Sequence, residues 1–263
     1  MNDHQQPSGL KNLLRAAAGA LPFVPRGDTV PDRTLKVEQL SIDPVNVARY
    51  ANVTGLRFDN AVPLTYPFAL TFPTVMSLVA SFDFPFAATV DGAVHAENLR
   101  EHRKGLLVDI VTDVNVGNDT AWHQVTTFLH QQRTSLSAEP KPPPPKQPKL
   151  RPPNAVLRIT PGQIRQYAAV GGDHNPIHTN GMAAKLFGFP TVIAHGMYSA
   201  AAVLANIEGQ LPDAVRYSLR FAKPVVLPAR AGLWVDRDSD GWELTLRNLS
   251  KGYPHLSGSV TPI

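Results

Sequence analysis

The sequence predicts an α+β fold built twice over, each copy an antiparallel sheet wrapped around a long central helix. Three observations predict it. YANVTG at 50–55 matches YAAVGG at 167–172, and FPTVM at 72–76 matches FPTVI at 189–193, both at an offset of 117 residues. Two matches at one unbroken offset indicate an internal duplication. A proline- and lysine-rich run, AEPKPPPPKQPKLRPP at 138–153, divides the 263-residue chain into halves of similar length. Each half then follows one order: strand, helix, apolar helical stretch, several strands.

Taken in order, residues 9–24, GLKNLLRAAAGALPFV, place Leu10, Leu13, Leu14 and Ala17 at helical spacing. Arg15 interrupts the apolar stretch that a signal peptide would need, so a short amphipathic helix is expected. Residues 26–34 are a polar loop, and LKVEQLSI at 35–42 is strand-like. Asp43 and Pro44 suit the N-cap and first position of a helix reaching Gly55. Thr74 to Phe82 is a candidate buried helix. Val94 to Leu99, Leu106 to Val116 and Ala121 to Gln132 read as strands, with a Gly117-Asn118 turn between the last two. Proline neither donates to a ladder nor sits inside a helix, so 138–153 is an extended connector.

The second half repeats the plan. AVLRI at 155–159 is a strand, Thr160 and Pro161 start a helix that runs to Gly171, and Met197 to Ile207 is a helix apolar on every face. A helix of that kind is a buried one. Val215 to Phe221, Ala231 to Asp236, Trp242 to Leu249 and His255 to Val260 complete the strands.

One stretch has polar residues that the scaffold does not require. Asp173, Asn175 and His178 lie within six positions, with Pro176 at the bend, and His195 and Gly196 open the apolar helix. The repeat supplies a control. At the same offset the first half carries Leu56, Phe58, Ala61, Leu78 and Val79. Groups needed only for folding would be needed in both copies, so the polar cluster is expected to be functional. Asp173 and His178, turned to one side, can hold a water and manage its protons, and histidine titrates near neutral pH. The Gly196 N–H, at a helix start, is a donor suited to an oxyanion. Asn175 before Pro176 serves either a local turn or a substrate. His195 is either core or a substrate contact, and Ser199, one turn into the helix, is open in the same way.

Other chemistries find little support. The chain has no cysteine, which excludes disulfides and thiolate catalysis. His174 and His178 are four apart, but Pro176 between them breaks the helix that would align them as metal ligands; no metal is expected. No phosphate-binding glycine loop and no G-x-S-x-G elbow is present. The net charge of +4 is scattered, which argues against nucleic acid. No apolar run approaches a membrane span.

GDHNPIH at 172–178, preceded by Tyr167 and followed by IAHGM at 193–197, resembles the MaoC-like dehydratases. These include R-specific enoyl-CoA hydratases and 3-hydroxyacyl-thioester dehydratases. The resemblance implies a tandem, or double, hotdog in which one half has lost its site. It implies domains at 1–137 (non-catalytic), 138–153 (linker) and 154–263 (catalytic). It also implies a lyase of fatty-acid metabolism without a cofactor, cytoplasmic, acting on acyl-CoA or acyl-carrier-protein thioesters. Asp173 and His178 would be the catalytic pair, Gly196 the oxyanion donor, and Asn175, His195 and Ser199 substrate contacts. The reaction is addition of water to a trans-2-enoyl thioester, or its reverse. A thioesterase on the same fold and a non-catalytic thioester-binding subunit are the alternatives. A tandem hotdog is already a pseudo-dimer, so either a monomer or a homodimer is expected. The apolar first-half residues Leu56, Phe58, Ala61, Phe68 and Leu70 are expected to shape a tunnel for the acyl chain. Arg220, Lys223 or Arg103 are candidates to meet the phosphates.

Overall fold

The structure is a computed structural model that describes residues 34–37, 39–59, 61–79, 95–138 and 151–263. The helix expected at 9–24, most of the 26–34 loop and most of the 138–153 connector lie outside the described residues. Contacts divide the chain into two compact units, Met1–Ser41 with Pro67–Lys146 and Ile42–Tyr66 with Gln147–Ile263. A boundary drawn only at the connector would put 42–66 with the first half; by contacts that segment belongs with the second.

In the first unit, α2 (Tyr66–Val79) packs against a three-stranded antiparallel sheet. Its strands are β1 (His95–His102), β2 (Gly105–Val116) and β3 (Asp119–Gln131), in that order. Val75 and Leu78 of the helix meet Ala96, Val108 and Ile110 of the sheet in one buried cluster. The register is pinned by a buried carboxylate. Asp109 on β2 takes two hydrogen bonds from the Arg100 guanidinium on β1, at 2.6 and 3.0 Å, and one from Thr127 on β3 at 2.5 Å. The Arg100 hydrogen bonds hold its pKa below the usual carboxylate value.

Two expectations for this region change. Residues 35–42 form no strand where described: Leu35 packs against the core cluster of the first unit, but Val37 and Ile42 are exposed. The buried helix begins eight residues before Thr74, at Tyr66, and keeps Pro73 inside it. FPTVM is therefore helical, whereas FPTVI is not. In the second copy Ile193 is held extended by a bridge to Val226 and by its N–H on the Ile177 carbonyl at 3.1 Å. The duplication is thus conserved in conformation at the first match and not at the second.

The second unit contains α1 (Pro44–Thr54), α3 (Pro161–Gly171), two short helices α4 (Pro176–Thr179) and α5 (Gly181–Leu186), and α6 (Gly196–Leu204). Strands β4 (Ala155–Ile159), β5 (Val215–Phe221), β6 (Ala229–Arg237), β7 (Trp242–Asn248) and β8 (Pro254–Pro262) form one antiparallel sheet in the order β4-β6-β7-β8-β5. Tyr198 to Leu204 of α6 are all buried, and Tyr217 of β5 donates to the Ala200 carbonyl at 2.9 Å. Leu233, Leu244, Leu246 and Leu256 supply the buried face of the sheet.

The repeat-related helices α1 and α3 show why their sequences match. Both start with a side-chain cap and a proline, Asp43-Pro44 and Thr160-Pro161, and both end on a glycine with positive φ, Gly55 and Gly172. Only glycine takes that conformation without a steric cost. The two helices pack on each other within this unit, with the equivalent tyrosines Tyr50 and Tyr167 in ring contact at 5.8 Å. Asn46 of α1 also donates to the Val170 carbonyl of α3 at 3.1 Å. Repeat partners meeting through the same residue position have the form of an isologous contact.

Candidate active site

The motif loop leaves α3 at Gly172 and turns twice. The Asp173 carboxylate accepts the Asn175 N–H at 3.1 Å, and the Asn175 amide oxygen accepts the Ile177 N–H at 3.2 Å as the N-cap of α4. Each side chain thereby caps the next turn. His178 then falls inward, buried, while His174 and Asn175 face outward and are exposed. The same local chemistry sets the second half of the site: His195 is the last non-helical residue before α6, and Gly196 is its first helical one.

Two backbone carbonyls fix the histidines. Nδ1 of His178 donates to the Ile193 carbonyl at 2.9 Å. A carbonyl only accepts, so this nitrogen carries the proton and a neutral ring presents its lone pair at Nε2. Nε2 of His195 donates to the Asp173 carbonyl at 2.9 Å and lies 3.6 Å from the Asp173 carboxylate. The His178 and His195 rings lie 3.8 Å apart with 31° between their planes. His195 is 2% exposed, its Nδ1 has no partner, and the Tyr167 ring packs against it at 5.1 Å between ring centres. Burial drives the pKa of His195 down to about 4, against the pull of the Asp173 charge. His195 is therefore a neutral imidazole at working pH.

Asp173, His178 and His195 bring ligand-type atoms within 4.8 Å of one another. That spacing meets a minimal requirement for a metal. One nitrogen of each ring is committed to a backbone carbonyl, which leaves His178 Nε2 and His195 Nδ1 uncommitted.

A cavity of ≈ 190 Å³ opens beside this cluster. His178, Gly196 and Ser199 line it, with Ile193 and Val225 among its apolar walls. As the first helical residue, Gly196 has an N–H with no intrahelical acceptor, at the positive end of the α6 dipole. A Cβ at Gly196 would stand 3.2 Å from the Phe221 ring, so the position leaves no room for a side chain without movement. Ser199 donates to the His195 carbonyl at 3.3 Å.

The sequence-predicted residues thus separate. Asp173, His178 and His195 come together; His178, Gly196 and Ser199 reach the cavity. Asn175 points to a local turn, and His195 does not line the cavity. None of Leu56, Phe58, Ala61, Phe68 and Leu70 lines it either, and Phe58 is 55% exposed. Of the three cations named from sequence, Lys223 lines the cavity. Nothing in the sequence marks His255 or Phe221, because each is one residue in an ordinary alternating strand.

The MaoC like domain family model matches residues 141–241. The 3-hydroxyacyl-thioester dehydratase X of Mycobacterium tuberculosis is 72% identical over 277 aligned residues, covering 97% of this chain and 98% of that protein. The chain belongs to the MaoC-like dehydratase family. A crystal structure of HtdX from Mycobacterium tuberculosis superposes with a TM-score of 0.75 at 66% identity, over 89% of this chain and 100% of that one. A MaoC-like dehydratase from Phytophthora capsici shares the fold at a TM-score of 0.62 and 18% identity, over 84% of this chain and 93% of that one. The fold is that of the α+β hotdog dehydratases. The family model covers the segment holding Asp173, His178, His195 and Gly196.

Proposed function

We propose that the protein reversibly hydrates trans-2-enoyl thioesters and dehydrates (3R)-hydroxyacyl thioesters, as a hydro-lyase of fatty-acid metabolism. The observation that carries the mechanism is the free Nε2 of His178, whose Nδ1 is held by the Ile193 carbonyl, in a cluster that brings ligand-type atoms of His178 and Asp173 within 4.8 Å. In hydration, water held between Asp173 and His178 gives up a proton as its oxygen attacks Cβ. The double bond shifts electrons toward the thioester carbonyl, and the Gly196 N–H at the start of α6 stabilises the resulting oxyanion. A proton delivered to Cα from the same pair completes the addition. Dehydration reverses each step. The pair starts and ends in the same protonation state, so no cofactor takes part in the balance.

The reading extends to the acyl carrier, coenzyme A or acyl carrier protein, and to action in the cytoplasm. Among the described residues no helix is long and apolar enough to cross a membrane. The reading leaves two forms for the duplicated chain, a monomeric pseudo-dimer or a homodimer.

The test follows loss of the conjugated enoyl absorbance with crotonyl-CoA and a longer enoyl-CoA. Asp173→Asn and His178→Ala should each lower the rate by about 100-fold or more, the usual weight of a positioned acid or base, with thermal stability retained. Wild-type rates in both variants would overturn the assignment. Release of free CoA in place of hydration would identify a thioesterase.

A further inference from the structure

The cavity holds a second histidine that the reaction above does not use. His255, on β8, is 4% exposed and lines the cavity together with His178. Its Nδ1 donates to the Lys223 carbonyl at 2.9 Å, so a neutral ring presents its lone pair at Nε2. The ring's backbone partners are the Lys223 and Pro224 carbonyls, and Nε2 has no side-chain partner, so its lone pair is left to the cavity that the residue lines. His178 and His255 are thus arranged alike: each is tied to a backbone carbonyl through Nδ1, and each leaves an acceptor in the same pocket.

The wall between the two histidines gives the direction. Residues 221–225 all line the cavity. At one end the Phe221 ring stands against Gly196, where the thioester oxygen would bind. Further along, Ala222 donates to the His255 carbonyl at 2.8 Å, and Lys223 extends over the Tyr253 ring with Nζ at 4.5 Å from its centre. Phe221 to Pro224 are all exposed, so the whole strip opens to solvent, and Lys223 is its one cation. A thioester whose carbonyl sits at Gly196 and whose anionic carrier meets the Lys223 ammonium lays its sulfur side past His255. Among the walls there, Phe221, Ala222, Pro224, Val225 and Leu256 are apolar. A ligand lying along this strip shuts water off from the acceptor and so has to supply a donor, since an unpaired buried group carries a cost. On the sulfur side of an acyl-pantetheine thioester the first donor is the cysteamine amide N–H.

We propose that His255 is a specificity residue whose Nε2 accepts that amide N–H, so that the site favours pantetheine-borne thioesters over simple alkyl thioesters. The inference rests on the hydratase reading of the site. It assigns His255 to binding of the arm, with Asp173 and His178 left to the chemistry.

The experiment crosses two substrates with three proteins. The crotonyl thioester of N-acetylcysteamine carries the amide; crotonyl S-butyl thioester lacks it. Both are followed by loss of the enoyl absorbance with wild type, His255→Leu and His255→Gln. His255→Leu should lose roughly 5- to 10-fold in kcat/KM on the amide substrate, the weight of one neutral hydrogen bond, and change by less than about 2-fold on the alkyl one. His255→Gln, which retains an acceptor, should recover most of the loss. Equal losses on both substrates, or none on either, would overturn the proposal, since a packing defect acts on both alike. Failure of the wild type to hydrate either thioester would instead sink the hydratase reading, and this inference with it.

Discussion

His195 makes a stability prediction that can be worked from its environment. Its ring is buried against His178 and Tyr167, and burial lowers its pKa from 6.5 to about 4. The groups facing it are Asp173, whose charge raises the value, and His178 and His174, which lower it; Tyr167 stays neutral, its own pKa driven up by burial. The folded pKa is below the unfolded one, so the unfolded chain takes the proton first. Above about pH 6.5 both states are neutral and the contribution is constant. As pH falls from about 6.5 toward about 4, stability is lost. At 1.36 kcal/mol per unit the loss approaches about 3 kcal/mol, or roughly 6–12 °C in Tm for a protein of this size. His195→Gln keeps an N–H for the Asp173 carbonyl and cannot titrate. The assay compares thermal unfolding of both proteins between about pH 7.5 and about pH 4.5. Wild type should lose several degrees more than His195→Gln over that range. Other acid-sensitive groups, including His255, are common to both and cancel. Parallel losses would refute the claim that His195 is held neutral by its burial.

Two further substitutions read other parts of the site. Gly196→Ala puts a methyl 3.2 and 3.3 Å from two atoms of the Phe221 ring. That ring is 48% exposed and can swing outward, so stability should fall by less than about 1 kcal/mol. Enoyl-thioester hydration should nevertheless drop by about 10- to 100-fold, because the methyl occupies the approach to the oxyanion donor; unchanged kcat/KM would remove Gly196 from that role. In Tyr167→Phe the lost hydroxyl is a buried one that makes no hydrogen bond of standard geometry, and the Tyr50 hydroxyl beside it donates to Thr65 at 2.9 Å. Removing it should leave Tm unchanged or raise it by up to about 1 kcal/mol equivalent, and a clear fall in Tm on differential scanning would show that the hydroxyl has a partner.

The legible parts of the fold are those written in local chemistry. Asp43-Pro44 and Thr160-Pro161 carry their own capping geometry, so the starts of α1 and α3 follow from adjacent residues. The strands of the second unit follow from alternation, and β5 has the expected limits, Val215–Phe221. LKVEQLSI misleads for the opposite reason: alternation proposes a strand, but only Leu35 packs against the core cluster while Val37 and Ile42 stay exposed. FPTV misleads more instructively. The same four residues are helical in α2 and bent, without helix, before α6, where tertiary contacts hold the next residue, Ile193. At the site, Asp173, His178 and Gly196 could be singled out because their repeat counterparts are apolar. His255 could not, since its place in the cavity comes from the pairing of β8 with β5 across Leu256 and Phe221.

The repeat comparison also has to be used with more care than the sequence alone suggests. Asp173, Asn175 and His178 follow directly on α3, and their counterparts follow directly on α1 with the same glycine cap. There the first half is a fair control: the same helix, the same exit, no polar triad. His195 and Gly196 have counterparts, Leu78 and Val79, that lie within α2 rather than at a helix start. Their apolar character reflects a different local structure, so the comparison says nothing about the need for His195 or Gly196. The case for those two rests on geometry: a neutral ring stacked on His178, and an N–H with no intrahelical acceptor facing the cavity. The first half meanwhile keeps a structural part in the second unit. Tyr50 of α1 packs on Tyr167, Tyr167 on His195, and His195 on His178. An unbroken line of aromatic contacts therefore runs from the copy without the motif to the proposed base, which explains why α1 persists beside a site to which it contributes no reacting group.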